Sequence, residues 1–157
     1  MRQQLDNLDI QLLELMQANN LQTADQLAER VGLSPSAIAR RLRRLRSQGA
    51  IAADVAILSE AAAGQPLSAV VHIQLERHAP QEGDRLRRRL VASPQVQLVL
   101  DIAGSFDIML LVVAANMDAY NRFADETLAE HPAVRRFESS FVKKRVKATL
   151  AVPLTEA

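Results

Sequence analysis

The apolar residues of this chain keep a helical period as far as Gly49 and a strand period beyond it, and that switch dictates a two-part fold. Before it, Leu8, Leu12, Leu15 and Met16 share one helical face. Asp6 stands ahead of them as a good N-cap, with Asp9 in the favourable first turn, and Asn19-Asn20 ends the run. Thr23 and Gln26 have capping-box spacing at the head of a second helix, which turns Leu27 and Val31 inward and stops at Gly32. Ser34 caps a third, with Pro35 at its first position, where a missing N–H costs nothing. Ile38, Leu42 and Leu45 form its buried stripe and Gly49 closes it.

Past Gly49, residues 50–58 read as a first strand or linker strand, and the small-residue segment 59–66 as a junction. Then follow a strand (67–76), a helix (80–92), two strands (96–103 and 108–114), a helix (117–130) and a strand (134–150). That order is β-α-β-β-α-β, the ferredoxin-like pattern. Pro80, Pro94 and Pro132 fall at element boundaries, where Pro is tolerated. The expected class is α+β: a helix-turn-helix (winged-helix-like) domain over 1–50, a linker strand over 51–66, and a ferredoxin-like domain over 67–157.

Composition removes whole classes of chemistry. The chain has no Cys, which excludes disulfide scaffolds, zinc fingers, cysteine nucleophiles and iron–sulfur ligation. The N-terminal residues lack the apolar core of a signal peptide, and the longest apolar run, 108–115, is too short to cross a bilayer, so a cytoplasmic protein without a membrane partner is expected. His72, His78 and His131 lack metal-ligand spacing, and no Ser-His-Asp set, glycine-rich phosphate loop or paired-carboxylate site emerges. No catalytic residue, metal or cofactor is expected.

The net charge of +1 hides an asymmetry. Residues 34–49 hold five Arg (40, 41, 43, 44 and 46) and no acid. Two short helices joined by Val31-Gly32-Leu33-Ser34 have the turn chemistry of a helix-turn-helix, whose following helix lies in the major groove of DNA. A helix with one apolar stripe and a cationic remainder suits a polyanion, because each Arg that meets a phosphate releases counterions. Ser34, Ser36, Ala37, Arg40 and Arg41 are the candidates for base or groove contact, and Arg44, Thr23 and Gln26 for phosphate. The alternative, a solvated face, normally mixes charge signs. Arg85, Arg87, Arg88 and Arg89 lie beside Glu82 and Asp84 and do read as such a face; Lys143-Lys144-Arg145 read as an exposed edge of the last strand.

Several segments, in order, resemble the Lrp/AsnC (leucine-responsive, or feast/famine) transcriptional regulators. Leu5-Asp6-Asn7-Leu8-Asp9-Ile10 is similar to that family's opening, Val31-Gly32-Leu33-Ser34-Pro35-Ser36 to its helix-turn-helix core, and Arg40-Arg41-Leu42-Arg43-Arg44-Leu45 with Gln48-Gly49-Ala50-Ile51 to its recognition helix and exit. Ala103-Gly104-Ser105-Phe106-Asp107 resembles its Gly-x-aromatic-Asp loop, and residues 134–147, ending Val146-Lys147, its last strand. Ala103 and Ser105 depart from the family's usual hydroxyl and acidic or polar residues. The resemblance implies a double-stranded DNA partner, a small-molecule effector (an amino acid), and homodimers that associate into tetramers or octamers. It also implies effector contacts at Gly104, Ser105, Phe106 and Asp107, with Ser139 and Ser140 from a facing subunit. The loop residues alone leave two readings open: a ligand site, or a plain turn with Gly for geometry and Asp as a cap. Two other functions share the layout: a sirohaem decarboxylase-like enzyme, and a DNA-architectural protein without an effector.

Overall fold

The structure, a computed structural model, describes residues 5–64, 66–76 and 80–154, so His78 lies outside the described residues. It divides into two units, one of residues 1–57 with 147–157 and one of residues 58–146.

Three helices form the first unit: α1 (Asn7–Ala18), α2 (Ala24–Val31) and α3 (Pro35–Ser47). Asp6 and Thr23 cap α1 and α2 through complete capping boxes with Asp9 and Gln26, and Ser34 caps α3. Gly32 takes φ 73°, a left-handed turn that costs a residue with a Cβ roughly 1–2 kcal/mol. The amphipathic stripes meet in one core of Leu12, Leu13, Met16, Leu27, Ile38, Leu42 and Leu45. The chain's tail returns to this unit: Gln17 Nε2 donates to the Val152 carbonyl at 2.9 Å, the Val152 amide donates to Gln17 Oε1 at 2.7 Å, and Leu154 packs against the core. The C-terminal part of the expected 67–157 domain therefore belongs to the helical unit.

In the second unit, β1 (Leu67–Leu75), α4 (Pro80–Ala92), β2 (Val96–Asp101), β3 (Ile108–Ala114), α5 (Met117–Ala124) and β4 (Val134–Phe141) follow the β-α-β-β-α-β order. The sheet order is β2-β3-β1-β4, antiparallel throughout. Alternate residues Ala69, Val71, Ile73, Ile108, Leu110 and Val112 are buried with Leu86 and Leu90 of α4 and Tyr120 and Phe123 of α5. The expected helix 117–130 is α-helical only to Ala124 and continues as a π-helical turn, Asp125–Ala129.

Two expected strands are corrected. Residues 50–58 form no strand, because nothing in the described chain offers them a ladder partner. The last strand stops at Phe141 rather than 150: Phe141 stands opposite Ala69, Val142 donates once more to the Ser68 carbonyl (2.9 Å), and β1 begins at Leu67, so past residue 143 it offers nothing to pair with. Lys143, Lys144 and Arg145 thus lie beyond the sheet, and Arg145 pairs with Glu60 at 3.7 Å.

Candidate DNA-reading helix and ligand groove

Helix α3 carries its five Arg on two different errands. Arg40 and Arg43 are exposed and have no ion-pair partner among the described residues. With Ser34, Ser36 and Ala37 they line an open concavity of about 420 Å³ at the head of the helix. Ser34 Oγ accepts from the Ala37 amide at 3.3 Å and lies 3.1 Å from Ser36 Oγ, so both hydroxyls sit at the solvent-facing N-terminus. Thr23 and Gln26 are exposed at the N-terminus of α2, the side chain of each accepting from the other's amide.

The remaining three Arg are spoken for. Arg41 Nη1 lies 2.7 Å from Asp6 Oδ2 and 2.8 Å from Asp9 Oδ1, and Arg44 Nη2 bonds Asp9 Oδ2. Arg46 pairs with Asp54 at 2.8 Å. Asp9 is only 1% exposed, so its charge is held in the protein by these two cations and by the Asp6 amide. The Arg41 hydrogen bond, then the Asp9 amide, hold the Asp6 carboxyl below the usual carboxylate range. Arg41 and Arg44, taken from sequence as base and phosphate contacts, are thus committed within the fold.

The second candidate site is a groove of about 150 Å³ lined by Gln74, Leu75, Glu76, Gly104, Ser105, Asp107 and Arg135. The 102–107 turn is closed by the Ile102 amide donating to the Asp107 carbonyl at 2.9 Å, and Gly104 takes φ 153°, which favours glycine. Asp107 Oδ2 accepts from the Leu75 amide at 2.7 Å, and the Asp107 amide donates to the Ile73 carbonyl at 2.9 Å. Asp107 thus caps the Leu75 amide, and its second carboxylate oxygen has no hydrogen-bond partner among the described residues.

Arg135, Glu76 and Gln74 were not among the sequence candidates. Gln74 stands opposite Arg136 and Leu75 opposite Val134, which leaves Arg135 as the extra residue of a β-bulge. Bulges re-aim side chains, and this one turns Arg135 to the groove. Its sequence signal is the charged pair Arg135-Arg136 near the start of the last predicted strand.

Phe106 does not line this groove, and Ser139 and Ser140, expected from a facing subunit, lie on β4. The Phe106 ring packs 5.4 Å from His72, and the Arg136 guanidinium sits 5.1 Å over it. Ser139 bonds the Tyr120 hydroxyl on the helix side of the sheet, and Ser140 stands opposite Val70 on the other side. Neither serine lines this chain's groove. Among the described residues no group of three or more His, Asp or Glu is placed to hold a metal, and no helix is long and apolar enough to cross a membrane.

A capped helix-turn-helix with a cationic third helix, joined to an antiparallel sheet unit with a polar groove, defines a DNA-binding regulator with a ligand-binding unit. Comparison with known proteins agrees. Residues 5–52 match the winged helix-turn-helix DNA-binding family and residues 68–152 the Lrp/AsnC ligand binding domain. The chain is 40% identical over 151 residues to an uncharacterised HTH-type transcriptional regulator of Sinorhizobium fredii, covering 96% of this chain and 89% of that one. It is 32% identical to the Bkd operon transcriptional regulator of Pseudomonas aeruginosa, covering 96% of this chain and 99% of the other. A transcriptional regulator from Neisseria meningitidis, solved as its L-Met complex, superposes with a TM-score of 0.88 at 32% identity, covering 95% and 96% of the two chains. The chain belongs to the Lrp/AsnC family of transcriptional regulators.

Proposed function

We propose that this regulator reads DNA through the head of α3 and answers to a free amino acid held in the 104–107 groove. The observation that carries the first half is the pair Arg40 and Arg43, exposed and without an ion-pair partner among the described residues beside Ser34, Ser36 and Ala37. Cations free of internal acids are available to phosphates and to guanine edges. Thr23 and Gln26, at the N-terminus of α2, supply phosphate contacts from the adjoining helix end.

For the groove, Arg135 suits an α-carboxylate, while Glu76 and the Asp107 carboxylate suit an ammonium. Gly104 and Ser105 bring backbone and hydroxyl to the same wall. The L-Met complex of the Neisseria meningitidis protein supports an amino acid as the effector class.

The working form is a homo-oligomer in the cytoplasm, acting by binding rather than by catalysis. The sheet face away from the helices presents Val70, Leu98, Leu100, Met109, Leu111 and Val113, an apolar surface that a second copy would cover. Exposed Val55, Ile57 and Leu58, in the stretch that reads as a strand but lacks a partner, point the same way. The test is a gel shift with operator DNA selected from random sequence, with and without each amino acid. Arg40→Ala with Arg43→Ala abolishes the specific shift while the oligomer survives in gel filtration. A variant that still shifts the operator at the wild-type concentration overturns the assignment of α3.

A further inference from the structure

Helix α3 presents fewer cations than it contains, and two of the acids responsible stand at the head of α1. Asp6 and Asp9 each do two things at once. Asp6 Oδ1 accepts from the Asp9 amide at 2.8 Å, and Asp9 Oδ2 accepts from the Asp6 amide at 3.3 Å, closing the α1 capping box. Their remaining capacity goes to Arg41 and Arg44. The carboxylates thus stand toward α3 as two phosphates of a DNA backbone would, at hydrogen-bonding distance and with the same charge sign.

These two Arg are not buried beyond reach. The side chains of Arg41 and Arg44 are 23% and 44% exposed, on the helix that carries Arg40 and Arg43 to the surface. Phosphate contacts supply affinity that carries no sequence information, and every duplex competes for them equally. A helix presenting Arg40, Arg41, Arg43 and Arg44 together would gain affinity for all DNA and lose discrimination.

We propose that Asp6 and Asp9 form an internal carboxylate clamp that withholds Arg41 and Arg44 from the phosphate backbone and so sets the ratio of specific to non-specific DNA affinity. The clamp makes these two acids specificity-determining residues although neither faces DNA. Its strength is graded: Asp6 is about half exposed and gives way first, whereas Asp9 is buried and holds both cations. The proposal rests on α3 being the DNA-facing helix, and wild-type binding to duplex in the same experiment tests that separately.

The experiment measures the affinity of full-length wild type, Asp6→Asn and Asp9→Asn for a random-sequence duplex and for the selected operator, between 50 and 200 mM salt. Asn keeps the capping ability of Asp6. Each Arg released to a phosphate steepens the log–log salt slope by about 0.9, or roughly 3.5-fold more affinity lost over that fourfold rise in salt. The expected result is tighter binding of Asp6→Asn to random duplex at 50 mM, a slope steeper by up to about 0.9 per subunit, and a smaller operator-to-random ratio. Asp9→Asn, where it folds, goes further, up to about 1.8. A folded Asp6→Asn, confirmed by circular dichroism, with the wild-type slope and ratio overturns the clamp. Weaker binding to operator and random duplex by the same factor overturns it as well, because that marks a purely structural role.

Discussion

Arg41→Ala separates the two errands of α3. Sequence puts Arg41 beside Arg40 on a cationic helix; the structure puts its guanidinium 2.7 and 2.8 Å from Asp6 and Asp9. The substitution deletes both bonds and leaves Asp9, 1% exposed, with Arg44 as its only cation. A hydrogen bond to a charged group contributes about 1.5–3 kcal/mol, and the half-exposed Asp6 bond adds little to that because solvent screens it. A loss of about 2 kcal/mol follows, short of the 3–5 kcal/mol for stripping a buried charge of its sole partner, since Arg44 stays. In a unit of this size that lowers the melting temperature by roughly 8–16 °C. The assay is thermal unfolding followed by circular dichroism, paired with an operator gel shift well below the transition, where binding persists. Arg40→Ala shows the reverse pattern: unchanged melting and weakened binding. An Arg41→Ala protein that melts with wild type yet loses the operator shift refutes the reasoning, because it puts the guanidinium on DNA rather than on Asp9.

Four further outcomes follow from other parts of the molecule. Arg135→Gln weakens binding of the effector amino acid roughly 10- to 100-fold, the worth of one charge-assisted hydrogen bond, read by calorimetry with operator affinity unaltered in the absence of effector. The Asp6 carboxyl is held below its ordinary value by Arg41 first, so its stabilisation is full above the unfolded carboxylate's pKa of about 3.9 and is lost as the pH falls through the lower folded value. Acid titration of the melting temperature therefore shows a drop below about pH 4 that is shallower in Asp6→Asn. Tyr120→Phe removes the partner of Ser139 beneath the sheet and costs about 1 kcal/mol, a fall of a few degrees in the unfolding of the sheet unit. Ending the chain after Ala151 removes the paired Gln17–Val152 bonds and the Leu154 contact, and hydrogen exchange then speeds up along α1 while β1 and β3 keep their protection.

The helices and the sheet were legible because their signals are local. Asp6 with Asp9, Thr23 with Gln26, and Ser34 with Pro35 place three helix starts within a residue of where they fall. The apolar run 108–114 places β3 at its observed bounds, and burial alternates along it only in the fold. What sequence missed is long-range in each case. The last strand is shorter than the predicted 134–150 because its length is set by where β1 begins, at Leu67, and not by its own composition. Arg135 reaches the groove through a register shift at Gln74 and Leu75, which no spacing within residues 134–141 encodes. The charge of α3 is the sharpest instance. Within residues 34–49 five Arg meet no acid, which reads as an unmixed cationic face. In the folded unit, acids 32 and 35 residues upstream and eight downstream neutralise three of them, which leaves Arg40 and Arg43 without an ion-pair partner among the described residues. A run of like charge in sequence therefore bounds the charge a surface can present; the fold decides how much of it is spent internally. In this regulator that internal share falls on Arg41, Arg44 and Arg46, and under the proposed clamp release of the first two would add affinity for every duplex at the expense of the one it must find.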